Sequence, residues 1–311
     1  GGSMEGRVIG KSNVVCDFQV SGATATDAVS HGIWNKAYGG GRMGDVIGES
    51  LLIPGLKAPA GVGTTVRVYS GQINEVFGGA RMANIEGGSF VEINEKSHDH
   101  FHTIINRVYG GSDVSGNIGH GIYKNSAGEE IETNTYVRIT ETPEGDQVYS
   151  GFPLIGEVFA GGNGNYGVHS DGDSYADGEI FAADSNISLA GKEYPNVDMT
   201  YLDICGGTIF NMFGGANNSL VRKATTIRVC YKDRDITAHF DRTASDECFS
   251  RGQQMLRYID VKEGFSEDDF VISTKHNIHR LFGGNNQMDM GIQPEWLLMN
   301  GYVGTVYGGC N

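Results

Sequence analysis

Apolar residues and glycine pairs recur in a fixed order along this chain. Phe or Tyr stands before two glycines, an apolar residue precedes the aromatic, and another apolar residue lies four positions before it. Because the two apolar positions are three apart, both reach one core only if the strand bends between them. An internal repeat of this kind predicts a repeat architecture. The motif occurs seven times, at Tyr38, Phe77, Tyr109, Phe159 (with Ala160 as an insertion before its glycines), Phe213, Phe282 and Tyr307.

A second element accompanies the first. It is a five-residue segment of the form Thr-x-apolar-x-apolar, whose alternation predicts a strand with one buried face. The weaker segment at 185–189 lies in a stretch, 185–199, that we expect to be an excursion. The well-formed segments are 64–68, 89–93, 135–139, 200–204 and 225–229.

The distances between the two elements define the repeat. Phe77 follows Thr64 by 13 residues, and Ser89 follows Phe77 by 12. The copy at 200–225 has the same two distances, so the basic unit is 25 residues and the longer copies carry insertions. Twenty-five residues suffice for one turn of a three-sided coil but not for a propeller blade of roughly 40 residues.

The sequence therefore predicts an all-β fold, a right-handed single-stranded parallel β-helix. We expect one solenoid domain over residues 1–311, and the handedness follows the general rule for parallel crossovers. The longest insertion, 230–268, is expected to be an excursion or a small subdomain. The chain stops inside a repeat at 308–311, so we expect further repeats in a longer protein.

The VYGG- and VFGG-like turns resemble those of right-handed parallel β-helix proteins that bacteria secrete or display. The resemblance extends from Trp34 to Asn311 and concerns structural residues. The group contains pectin-lyase-like solenoids, adhesins, passenger domains and polysaccharide-active enzymes. The resemblance therefore implies an extracellular or cell-surface protein and leaves its activity open.

Composition narrows the classes of partner. The net charge of -15 argues against nucleic acid, which is bound by clustered Lys and Arg. No apolar stretch is long enough for a transmembrane helix. Residues 1–4 resemble a cloning remnant, and no cofactor motif is present.

The strongest candidate binding surface is a row of alternating charges. These residues occupy the fourth position of the repeated strand, opposite in direction to the buried third and fifth. A structural interpretation is that opposite charges on neighbouring strands fix the register. A functional interpretation is that the row lines a groove for an acidic or neutral polysaccharide. The residues are Arg67, Glu92, Arg138, Asp203 and Arg228.

The repeated aromatics are expected to form a stacked core, although rings can also bind sugars. His98, His100 and His102 share one side of an extended insertion and are a candidate transition-metal site. An acidic segment has the oxygen donors that calcium prefers, although it lacks the glycine and closing Glu of a helix-loop-helix site. Its acidic residues are Asp171, Asp173, Asp177 and Glu179. Both clusters are equally compatible with solvated loops, and we predict no metal.

The cysteines and the nucleophile motifs give no catalytic signature. Cys205 and Cys230 occupy the same repeat position, and we expect two free thiols because neighbouring strands seldom suit a disulfide. No G-x-S-x-G elbow or phosphate loop occurs. We therefore expect a binding or structural protein that recognises a glycan or a cell-surface protein through its excursions. The alternative is a polysaccharide lyase or glycoside hydrolase acting beside the charged row.

Overall fold

The computed structural model describes most of the chain as strands and tight turns. The residues described are 2–17, 33–47, 61–96, 103–124, 128–142, 153–166, 180–181, 184–188, 193–231, 278–301 and 303–311. Within these ranges every regular element is a strand. The strands are β1 Val8–Ile9, β2 Ser12–Cys16, β3 Ile33–Tyr38, β4 Val46–Ile47, β5 Val62–Val68, β6 Gly71–Phe77, β7 Gly88–Lys96, β8 Thr103–Tyr109, β9 Gly121–Lys124, β10 Glu130–Thr133, β11 Thr135–Thr142, β12 Leu154–Phe159, β13 Ile180–Phe181, β14 Asp184–Ser188, β15 Asn196–Ile204, β16 Thr208–Phe213, β17 Leu220–Cys230, β18 Ile278–Phe282, β19 Pro294–Asn300 and β20 Val303–Tyr307.

Two seven-stranded parallel sheets carry the fold. The first sheet has the order β19-β17-β15-β11-β7-β5-β2, and the second has the order β20-β18-β16-β12-β8-β6-β3. Each repeat therefore gives one strand to the first sheet and the next to the second. Short turns join the two strands, as at Tyr69 and Ser70, where Gly71 follows with a φ of 108° that favours glycine. Three two-stranded sheets complete the regular structure of the described residues.

The prediction of a single-stranded right-handed parallel β-helix is wrong. The regular structure is a pair of parallel sheets packed as layers, and a three-sided coil would need a third sheet after each glycine pair. The described residues there form isolated bridges, such as Met82 with Ser115 and Ile85 with Ile118. Val46, Ile85 and Ile118 on this side belong to a separate buried cluster, and the pairing of the described residues there extends over only one or two residues at a time, as in β1 with β4. The prediction of an all-β fold with parallel strands is confirmed.

The core lies between the two sheets. Val66 and Val68 of β5 face Ile73 and Val76 of β6 in one cluster of buried residues, and the other repeats contribute equivalent residues. Burying each such side chain contributes about 1.5–3 kcal/mol to stability. In the second-sheet strands, the residue three positions before the aromatic has no partner in the strand register. This irregularity lets both apolar residues, four positions and one position before the aromatic, face the core. The expected bend therefore lies at this residue.

The Thr of one element and the glycine pair of the other are joined by a recurrent hydrogen bond. The hydroxyl of Thr64 donates to Gly78 O at 2.6 Å, and Thr135 donates to Ala160 O at 2.6 Å. Ala160 therefore replaces the first glycine of its pair and is no insertion. Glycine is required at Gly78, where a Cβ would lie 2.3 Å from the carbonyl oxygen of Gly110. This bond explains why the two sequence elements recur together.

The first residues belong to the fold. Arg42 N donates to Ser3 O and Met43 N to Met4 O, each at 2.9 Å. β1 pairs in parallel with β4 through Val8 and Val46. Ser3 and Met4 therefore continue the hydrogen bonding of the next glycine turn.

Candidate functional site

The first charge row, defined as Arg67, Glu92, Arg138, Asp203 and Arg228, lies on the outer face of the first sheet. The register pairs Arg67 with Glu92, Glu92 with Arg138, Arg138 with Asp203, and Asp203 with Arg228. The strands of the sheet therefore bring the five predicted residues together in the predicted order.

The charges of this row pair with one another. Arg67 Nε lies 3.0 Å from Glu92 Oε2, and Arg228 Nη2 lies 2.5 Å from Asp203 Oδ1. Arg138 Nε lies 3.4 Å from Asp203 Oδ2, so Asp203, which is fully buried, serves two guanidinium groups. Burial lowers the pKa of Arg228, but the hydrogen bond and charge of Asp203 outweigh it and raise the pKa overall.

Aromatic side chains cover the middle of the row. Tyr136 is buried between Phe90 and Tyr201 on the outer face, and Tyr123 from the β9–β10 hairpin packs against it with ring centroids 4.9 Å apart. Tyr136 donates to Asp203 Oδ2 at 2.8 Å, and the guanidinium of Arg138 lies 5.4 Å from the ring centre of Tyr136. The outer face of the first sheet is therefore a self-paired, largely closed surface.

A disulfide joins Cys205 and Cys230 at the end of this row, with the two Cα atoms 4.7 Å apart. The expectation of free thiols is wrong. Cys205 lies just beyond the end of β15, and the register of β17 shifts at Cys230, so neither residue has regular strand-neighbour geometry. Asp203 Oδ1 lies 3.4 Å from the Cys205 sulfur, but disulfide sulfurs are not the thiolates that bind a metal.

The second sheet carries a second charge row on its outer face, which sequence reasoning missed. Lys36 Nζ lies 2.6 Å from Glu75 Oε2, and Arg107 Nε lies 2.8 Å from Glu157 Oε2. Arg107 also reaches Glu75, with Nη1 at 3.8 Å from Oε1. We call Lys36, Glu75, Arg107 and Glu157 the second charge row. Each stands two positions before a repeated aromatic.

Asparagines in the turns that follow the glycines form a row that runs parallel to the second charge row. Asn217 Nδ2 donates to Asn163 Oδ1 at 2.9 Å, Asn286 Nδ2 donates to Asn217 Oδ1 at 2.9 Å, and Asn311 Nδ2 donates to Asn286 Oδ1 at 2.8 Å. We call these four residues the amide row. Each stands four positions after a repeated aromatic. Asn163 and Asn217 use one N–H and one oxygen lone pair in the row, so a second N–H and a second lone pair remain.

The amide row begins at a buried carboxylate, Asp113. Asn163 Nδ2 donates to Asp113 Oδ1 at 2.9 Å, and the Tyr38 hydroxyl donates to Oδ2 at 2.6 Å. Tyr166 also donates to Oδ1, and Lys36 Nζ lies 3.6 Å from Oδ2. Burial, followed by the charge of Asp113, raises the pKa of both phenols, so they remain neutral donors.

A cleft of about 190 Å³ lies between the second charge row and the amide row. We call it the polar cleft. The other described residues of its wall are Tyr109, Asn165, Tyr166 and Gln287. Tyr109 is 1% exposed, and no described residue hydrogen-bonds its hydroxyl. Burial raises the pKa of Tyr109 well above its usual value, and the charges of Arg107, Glu75, Glu157 and Asp113 act on it.

The repeated aromatics form the expected stack. Tyr109 stacks on Phe77 with ring centroids 4.7 Å apart and on Phe159 with centroids 4.9 Å apart. The stack runs on to Tyr38 at one end and to Tyr307 at the other. Tyr109 therefore presents only its hydroxyl edge to the cleft, because both faces of its ring are covered.

Three sequence candidates lie outside the described residues. These are the histidines His98, His100 and His102, the acidic segment with Asp171, Asp173, Asp177 and Glu179, and residues 232–268 of the long insertion. Their predicted roles stay predictions.

Comparison with known proteins gives no relative for this arrangement. No protein-family model, no curated protein and no solved structure matches the chain. In the part of the chain that the structure describes, no helix is long and apolar enough to span a membrane.

Proposed function

We propose that this protein is an extracellular or cell-surface binding protein that recognises a glycan in the polar cleft. The observation that carries the proposal is the composition of the cleft wall. It combines amides, paired charges and the Tyr109 hydroxyl, which has no described hydrogen-bond partner. Because this hydroxyl faces the cleft, a ligand hydroxyl bound there can hydrogen-bond to it.

The chemistry of the wall fits sugar hydroxyls. A hydroxyl group donates one hydrogen bond and accepts up to two, so it needs donors and acceptors side by side. The side-chain amides of Asn163 and Asn217 each offer an N–H donor and an oxygen acceptor. Hydrogen bonds to neighbours in the amide row hold these two side chains in place. Tyr166, which is half-buried at the edge of the cleft, adds an aromatic surface.

The disulfide supports an extracellular location. Disulfides persist in oxidising compartments and are rare in the cytosol, where thiols are kept reduced. The Cys205–Cys230 pair joins neighbouring strands at the end of the first charge row. A secreted or displayed glycan-binding protein is consistent with this bond.

The enzyme alternative gains no support from the first charge row. A lyase or hydrolase acting there needs an acid or base that faces an open groove. Glu92 and Asp203 are instead engaged by arginines, and aromatic rings cover the middle of the row.

A glycan array on the purified protein, followed by calorimetric titration of the best ligand, tests the proposal. Tyr109→Phe removes only the cleft hydroxyl, and Phe already occupies this stack position at Phe77 and Phe159. We expect a Kd about 2- to 10-fold higher, as for one neutral hydrogen bond.

Tyr201→Phe is the matched control, because Tyr201 is a buried stacked tyrosine on the outer face of the first sheet. Its affinity should equal that of the wild type. An array without any bound glycan, or equal affinity losses in the two variants, would contradict the proposal. Capture of a cell-surface protein alone would favour the protein-binding alternative.

A further inference from the structure

The amide row repeats at one fixed distance along the second sheet. The aromatic rings that stand four positions before its members stack with centroids 4.7 Å apart at each step of the row. Backbone hydrogen bonds between the glycine turns keep the same step, since Asn217 N donates to Gly162 O at 3.0 Å and Asn286 N donates to Ala216 O at 2.9 Å. The row therefore repeats at about one strand spacing, roughly 4.8 Å.

The members of the amide row keep hydrogen-bonding groups that a ligand can use. Asn286 donates to Asn217 and accepts from Asn311, so one N–H and one oxygen lone pair of its amide remain. Asn163 and Asn217 keep the same two groups. These three side chains line the polar cleft, and Asn311 follows them at the exposed end of the row. The row therefore offers a donor and an acceptor at every strand that it spans.

The spacing of the row selects among polymeric ligands. An extended peptide advances roughly 3.3 Å per residue, so its polar groups fall out of step with the amides within a few strands. An α-1,4-linked glucan coils and departs from a straight row. A β-1,4-linked glycan is extended, and its sugar units repeat at close to one strand spacing. Successive units are turned over relative to each other, and an amide with both a donor and an acceptor can bind either orientation.

We propose that the polar cleft binds an extended β-1,4-linked glycan along the amide row, with one sugar unit for each strand. This inference rests on the proposed function and specifies the linkage of the ligand and the direction in which it lies. Tyr109 of β8 lies one strand before the turn of Asn163, because β8 pairs with β12. The ligand therefore begins at the Tyr109 hydroxyl and runs toward Asn311, across the strands.

Calorimetric titration with oligosaccharides of increasing length tests the inference. Cello-, xylo- and chito-oligosaccharides are β-1,4-linked. Malto-oligosaccharides are the matched control for the cello series, because they contain the same glucose units in α-1,4 linkage. We expect the Kd of at least one β-1,4 series to fall about 2- to 10-fold per added unit and to level off near four units, as for one neutral hydrogen bond per unit. The malto series should show no such gain.

Asn286→Ala interrupts the row at its third member, so the gain with chain length should level off near two units. Asn74→Ala is the matched control. Asn74 is also a half-buried asparagine that donates to one side-chain amide, Asn35, and accepts from another, Asn106, but it lies outside the wall of the polar cleft. Its length dependence should equal that of the wild type. Thermal melting verifies that both variants are folded, and the comparison of linkages on the wild type depends on no variant.

The outcomes separate this inference from the proposed function. A Kd that is independent of chain length but still sensitive to Tyr109→Phe overturns the extended ligand and leaves a small glycan in the cleft. Equal gains in the cello and malto series, or binding of array glycans but of no β-1,4 series, overturn the linkage class alone. Equal effects of Asn286→Ala and Asn74→Ala overturn the role of the amide row. A blank glycan array without binding in any series overturns both proposals.

Discussion

The outer faces of the two sheets carry similar rows of alternating charge and differ in what surrounds them. In the first charge row Asp203 is fully buried, bonded to two arginines and to Tyr136, and close to a disulfide. In the second charge row Arg107 is 29% exposed and lies on the wall of an open cleft. Both rows place opposite charges on neighbouring strands, which favours the observed register, and the polar cleft lies beside the second row.

Removing the central carboxylate of the first charge row should have the largest effect. Asp203→Asn leaves Arg138 and Arg228 without their shared counter-charge, and we expect the free energy of unfolding to fall by about 3–5 kcal/mol. Urea denaturation measures the loss. Glu157→Gln is the comparison on the second sheet and should cost less, because Arg107 keeps contact with solvent and Glu75. Equal losses would remove the distinction between a closed and an open face.

Removing the disulfide should have the next largest effect. Cys205→Ser with Cys230→Ser releases a cross-link between residues 25 apart, and we expect a loss of about 2–4 kcal/mol. Under reducing conditions the wild type should melt near the temperature of the double variant. Cys16 is a buried free cysteine whose pKa burial raises to about 11, so alkylation of the native protein should spare it. Insensitivity of the wild-type melting temperature to reductant would contradict the cross-link.

At neutral pH, removing a tyrosine hydroxyl should affect stability differently on the outer faces of the first and second sheets. Tyr136→Phe removes a hydrogen bond to buried Asp203 and should lower the free energy of unfolding by about 1.5–3 kcal/mol. Tyr109→Phe removes a hydroxyl without a described partner, so stability without ligand should be unchanged or slightly higher. Parallel denaturation curves measure both. A loss at Tyr109 as large as that at Tyr136 would mean that the cleft hydroxyl is already satisfied.

For a single residue, the smallest effect should be the contribution of one buried tyrosine at alkaline pH. Burial raises the pKa of Tyr38, Tyr109, Tyr136 and Tyr166 above the ordinary value of 10.0. Above that pH the unfolded chain loses these protons while the folded chain keeps them, so stability is full below pH 10 and falls as pH rises. Each tyrosine contributes about 1.4 kcal/mol per pH unit. Tyr109→Phe should reduce the slope by one such contribution, and identical slopes would contradict this.

The sequence predicts the strands, their register and the stacked aromatics well. Alternation along 64–68, 89–93, 135–139, 200–204 and 225–229 places each segment in a first-sheet strand, and the equal repeat length brings like residues side by side. Alternation specifies which face is buried, but it does not specify how many sheets enclose the core. The two-layer arrangement therefore had to be learned from the structure.

The candidate site was much harder to predict. Asn163, Asn217 and Asn286 lie in glycine turns, where strand periodicity carries no information about direction. Their signal is the constant spacing of four residues after each aromatic, and the second charge row has a constant spacing of two residues before it. The outward charges of the Thr-containing strands lie on the first sheet, away from the cleft. The disulfide was missed because strand ends depart from ideal geometry.

The central claim is that ligand binds on the second sheet and not beside the first charge row. Side-chain NMR signals of a protein labelled with ¹⁵N test it directly, with the best ligand from the glycan array as the titrant. We predict shifts of the Asn163, Asn217 and Asn286 amide signals, while the Nε–H signals of Arg138 and Arg228 stay unchanged. Shifts confined to Arg138 and Arg228 would contradict the account and return the binding site to the first sheet.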